Sequence, residues 1–172
     1  MSSRTPLPFA AALSLALAAP LAAQETRELG AHSHGHVTLQ VAVDGDAVEM
    51  VLEAPGVDIV GFEHAAETDE QTAAVEAARA TLSDPTALFV LPESAGCAGE
   101  PAEVELHQEG EHTAFEVTHR LVCADPSALT EIGARLFELY PSIEEIDVEY
   151  ATPAGQGAGE LEPGATLALP VS

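Results

Sequence analysis

There is no lysine in this chain of 172 residues, and only five arginines stand against 29 acidic side chains. A surface so poor in cations is repelled by nucleic-acid phosphates and by anionic membranes, which argues against both as direct partners. Cations are attracted instead, although adaptation to salt or acid, or solubility alone, accounts for such a charge equally well. Signature motifs are also missing. There is no Gly-rich phosphate loop, no Ser in a strand-to-helix elbow and no His-Glu-x-x-His, so nucleotide-binding, serine-hydrolase and zinc-protease chemistries lack their usual carriers. The stretch "GQGAG" follows a strand without opening a helix and reads as loop. No internal repeat occurs, and no low-complexity tract follows the first two dozen residues.

The long apolar run is confined to the start. Arg4 precedes apolar residues from about Leu7 to Leu21, then Ala22-Ala23, then polar Gln24-Glu25. That order is a secretory signal peptide over residues 1–23. The run contains Pro8 and Pro20 and is short for a membrane span of about 20 residues. The mature chain, residues 24–172, is therefore expected to be a soluble single domain outside the cytoplasm, with a flexible N-terminal leader. Cysteine is scarce, with Cys97 and Cys123 alone. An even, small count in an exported chain points to one disulfide. A catalytic Cys-His pair is the rival, but the two cysteines lie nearly symmetrically about a hairpin turn near Glu109-Gly110, which makes a bridge geometrically reasonable.

What is present is strong alternation. In "HVTLQVAVDGDAVEMVLEA", Val37, Leu39, Val41 and Val43 alternate with other residues, and so do Val48, Met50 and Leu52. A turn at Asp44-Gly45 predicts a two-residue hairpin with Val41 opposite Val48, Leu39 opposite Met50, and His36 opposite Glu53 on the outer face. Next, "ETDEQTAAVEAARATLSDP" predicts a helix with Thr68 as N-cap, Gln71 completing a capping box, and Val75, Ala78 and Leu82 facing inward. "ALFVLP" reads as a short buried strand, and the second hairpin follows. Asp125-Pro126 predicts a second helix with Leu129, Ile132, Leu136 and Leu139 inward. "IEEIDVEYA" reads as a strand, "TPAGQGAGELEPG" as loop and "ATLALPV" as a last strand. The order implies an α+β fold: a two-layer sandwich of mostly antiparallel β-sheet with two crossover helices on one face.

Three of the seven histidines fall within five positions, His32, His34 and His36. If the first strand extends backward they line one side, where imidazoles can converge on a metal ion. His64 follows Glu63 in the link from the first hairpin to the first helix. His107 and His112 flank the second turn, close to cross-strand. His119 shares the apolar side with Phe115, Val117 and Leu121 and reads as a satisfied core histidine.

The motifs together resemble the ZrgA-type family of periplasmic zinc-binding proteins, which are associated with zinc uptake through an ABC transporter. They are "HSHG" before the first strand, "APGVDIVGFEHA", "LFVLPESAGC", "EHTAFEVTHRLVCADPSAL" and "IEEIDVEY", spread over roughly residues 30–165. The family's His-x-His-Gly falls on His32 to Gly35, its Gly-Phe-Glu-His on Gly61 to His64, a hairpin histidine on His112, and its paired cysteines on Cys97 and Cys123. Relatives commonly carry a long His/Asp/Glu-rich insertion in the later hairpin, which here has shrunk to "HQEGEH". The resemblance implies a non-enzymatic periplasmic Zn2+ protein that assists an ABC transporter. Its implied ligands are His32, His34 and His64, with His112 as fourth and Glu63 or His36 in reserve. The alternative is an accessory interaction subunit of a membrane transporter without a specific metal site.

Overall fold

Residues 34–171 are described by the computed structural model, and they belong to one compact unit. The expected signal peptide and leader, including His32, lie outside the described residues. The first alternating pair forms β1 (His36–Asp44) and β2 (Ala47–Pro55), with every second side chain buried. A short helix α1 (Gly56–Val60) follows, then α2 (Asp69–Leu82), α3 (Pro85–Leu88) and a two-residue strand β3 (Phe89–Val90). Strands β4 (Cys97–Ala98), β5 (Val104–Glu109) and β6 (His112–Cys123) come next. After them lie β7 (Glu131–Ala134), α4 (Leu136–Leu139), β8 (Glu145–Thr152), β9 (Gly155–Leu161) and β10 (Thr166–Ala168).

The large sheet runs β4-β6-β2-β1-β8-β9, and β5 also pairs with β6. All its pairings are antiparallel except β1 with β8, so the sheet is mixed. One face is dry, formed by Val37, Leu39, Met50, Leu52, Phe115, Val117, Ile146 and Val148. The second layer over it is α2, which is held by the expected Thr68–Gln71 capping box and buries Val75, Ala78 and Leu82. A three-stranded sheet, β10-β7-β3, is the smaller companion. The α+β sandwich stands, but one of its two expected crossover helices does not form.

Residues 126–139 instead make a 3₁₀ turn, β7 and one helical turn. Leu129, Ile132 and Leu136 are buried as expected, while Leu139 is exposed. Gly133 explains the change. It weakens a helix interior by about 1 kcal/mol, and here β7 is flanked by β3 and β10, so tertiary pairing overrides the helical spacing. The stretch expected to be loop, "GQGAG", lies within β9, an edge strand whose glycines leave room for Tyr150 and Leu167.

Both hairpin turns sit one residue later than predicted. The central pairs are Gly45-Asp46 and Gly110-Glu111, with glycine first at φ 61° and 62°. No non-glycine residue adopts positive φ among the described residues, which rules out a type I′ turn with positive φ at both central positions. Leu39 therefore pairs with Leu52 and Val41 with Met50; Glu53 pairs with Thr38 instead of His36. The register moves by two residues, so the apolar set keeps its face. In the second hairpin His107 pairs with Ala114 and His112 with Glu109, so the two histidines are not cross-strand partners. Cys97 and Cys123 are register partners, with their sulfurs bonded at 1.96 Å.

Candidate metal centre

His34 and His36 are not rungs of one strand. The chain turns at His34-Gly35, Gly35 takes φ 83°, and β1 starts only at His36. Positive φ is open to glycine and strained for other residues. Gly35 is held from both sides. Its N–H donates to Asp58 Oδ2 at 3.0 Å, and its carbonyl accepts from the N–H groups of Glu144 and Glu145. Asp58 is buried on α1, and its own carbonyl accepts from Ser142 Oγ at 2.7 Å. Burial pushes the Asp58 carboxyl upward, against the pull of the Gly35 N–H and of His34 and His36. Asp58 thus anchors the segment that carries both imidazoles.

The other side of the site comes from the turn after α1. Gly61, at φ 82°, caps that helix and sends the chain into Phe62-Glu63-His64. Gly56 fixes where this turn lies, because a Cβ there would overlap Thr113 Oγ1 on β6 and crowd the Phe62 carbonyl. The close approach brings Glu63 beside His112, the first residue of β6. Glu63 Oε2 lies 3.0 Å from His112 Nδ1 and 3.8 Å from His34 Nε2. One carboxylate oxygen therefore faces two imidazoles, one from the turn before β1 and one from the start of β6. The side chains are 68% exposed for His34, 42% for Glu63 and 58% for His112, so the group is an open surface site.

The remaining predicted ligands are placed differently. His64 commits Nδ1 to the Ala65 carbonyl at 2.8 Å and packs on Phe62, with ring centroids 5.3 Å apart, which leaves Nε2 free. His36 faces away from the core as predicted, yet its neighbour is Glu145, 3.8 Å away on β8. His107 lies between Glu105 and Glu116. His119 is fully buried against Phe89, as a core histidine should be, but neither ring nitrogen has a hydrogen-bond partner, so it is not satisfied. Burial pushes its pKa down, opposed by the Asp84 charge; the Leu82 backbone lies near the ring but does not meet hydrogen-bond geometry.

Sequence reasoning missed two features. One is Asp58, a lone acid among Val57, Ile59 and Val60 just after Pro55-Gly56; its apolar surroundings were the available signal. The other is the pair Glu145 and Asp147, which the alternation of "IEEIDVEY" puts on the outer side with His36. Chemically, two neutral imidazoles and a carboxylate form a borderline donor set suited to zinc. Among comparisons with known proteins, no curated protein matches the chain. A family model described as "ZrgA family zinc uptake protein" matches residues 31–168.

Proposed function

This chain belongs to the ZrgA family of zinc uptake proteins, and from that premise we propose that it captures zinc in the periplasm and passes it to an ABC transporter. In this reading the signal peptide is removed, residues 24–172 form the zinc-binding domain, and the protein is not an enzyme. The observation that carries it is the placement of Glu63 Oε2 between His112 Nδ1 and His34 Nε2. Glu63, His34 and His112 are the principal ligands. His64, through its free Nε2, His32 or a water molecule completes the four positions zinc requires.

Exposure of the group fits a carrier. The side chains can rotate onto an ion and release it, and no thiolate cage holds it. Neutral imidazole is the ligating form, so acidification weakens binding and releases the ion. Calorimetric titration of the tag-free mature chain tests the reading. Saturable zinc binding is expected in the parent and at least a hundredfold weaker binding at this site in the His34→Ala/His112→Ala double variant. A parent without saturable binding would reduce the protein to an accessory docking subunit of a transporter.

A further inference from the structure

The outer face of the large sheet holds a second group of histidine and carboxylates, away from Glu63. His36 on β1 is the register partner of Glu145 on the parallel strand β8, and Asp147 follows two residues later on the same face. One ligand atom from each of His36, Glu145 and Asp147 lies within 4.8 Å of the others, and no other set of three does so among the described residues. Glu160 on β9 is the register partner of Asp147 and adds a third carboxylate. Its charge and that of Asp147, after burial, push the Glu145 carboxyl upward, while His36 opposes them. The arginines among the described residues are engaged elsewhere: Arg79 with Glu76 and the Val104 carbonyl, Arg120 with Glu49, and Arg135 with the Thr86 carbonyl. Glu145 and Asp147 therefore flank the imidazole and Glu160 adjoins Asp147, with no basic side chain among the described residues to balance them.

We propose that His36, Glu145 and Asp147 form a second divalent-cation site, separate from the Glu63 group and independent of the reading given to it. Ligand atoms about 2.1 Å from a tetrahedral ion stand roughly 3.4 Å apart. The 3.8 Å between His36 Nδ1 and Glu145 Oε1 needs only a small closure, and the widest separation allowed in the group needs about 1.4 Å. These side chains are 44% and 31% exposed for His36 and Glu145, so rotamer changes supply that movement. The backbone beneath does not need to move, since the Gly35 carbonyl already ties β1 to Glu144 and Glu145. One nitrogen and two or three oxygens make a harder donor set than the Glu63 group, suited to zinc or manganese(II) and weaker for zinc than a histidine-rich site.

Zinc titration of the whole mature chain tests this, with Glu145→Gln/Asp147→Asn set beside His34→Ala/His112→Ala. The amide exchanges keep side-chain shape and remove like-charge repulsion, and thermal unfolding verifies that the variant is folded. Two equivalents are expected in the parent. The amide variant should weaken the lower-affinity one at least tenfold and leave the tight one, and the histidine variant should do the reverse. Loss of only the tight equivalent from the parent's expected pair would count against the Glu63 reading and leave this one standing. Unchanged binding in the amide variant, or a parent with one equivalent that only the histidine variant abolishes, would overturn the second site.

Discussion

Replacing Glu63 by Gln is the sharpest perturbation of the zinc reading, because it keeps the side chain's shape and one oxygen donor while removing its charge. The exposure of Glu63 and its two histidine neighbours sets the relevant dielectric near that of water. Even so, a unit negative charge about 2.1 Å from a divalent ion contributes about 4 kcal/mol. Carboxylate desolvation and ionic screening take part of this back. What remains, about 1.5–3 kcal/mol, corresponds to a loss of roughly 10- to 100-fold in affinity, at about 1.4 kcal/mol per tenfold. Competition against a chromophoric chelator at pH 7 measures it. Glu67→Gln, which removes an exposed charge four residues on, controls for the general acidity of the surface and should change affinity less than twofold. If both variants weaken zinc equally, the ion is held by diffuse negative charge and the reasoning about Glu63 is refuted.

Three further outcomes are expected. Gly56→Ala should destabilise by about 1–3 kcal/mol through overpacking against Thr113 and should also weaken zinc, because it displaces the Glu63 turn; urea unfolding and the same competition assay would expose the error if neither changes. Replacing both cysteines by Ala should cost about 3.5 kcal/mol from the loop entropy of a 26-residue separation, and an unchanged denaturation midpoint would contradict it. His119 has a folded pKa below its unfolded value, so its contribution is intact above about pH 6.5 and is lost as pH falls below that. His119→Leu should flatten this acid-side decline and stabilise by up to about 1–3 kcal/mol by removing two unpaired buried nitrogens. Equal pH slopes in parent and variant would rule that out.

Much of the fold was legible because alternation fixes which side chains are buried even when it does not fix their partners. The two turns show the limit. Asp44-Gly45-Asp46 and Glu109-Gly110-Glu111 are both acid-Gly-acid, so Asp-Gly and Gly-Asp placements look alike in sequence. The resulting two-residue shift moved every cross-strand pair and left the faces intact. Leu129, Ile132 and Leu136 are core, as their apolar spacing implies, but strands on both sides of Gly133 override the helix that this spacing predicts. The separate histidine motifs were visible. Their meeting at Glu63 was not, since it depends on a contact across 49 residues, Glu63 to His112, set by the close fit of Gly56 on β6. Alternation alone puts His34 and His36 on one strand edge, because it carries no sign of the turn that Gly35 makes.

The most direct measurement is nitrogen-15 NMR of the histidine rings in the mature protein as zinc is added. With the first equivalent, the ring nitrogens of His34 and His112 should shift to metal-bound values, while His107 and His119 stay unchanged. Metal-bound signals at His107, or a first equivalent that leaves His34 and His112 untouched, would contradict the assignment of the zinc centre to Glu63 and its two imidazoles.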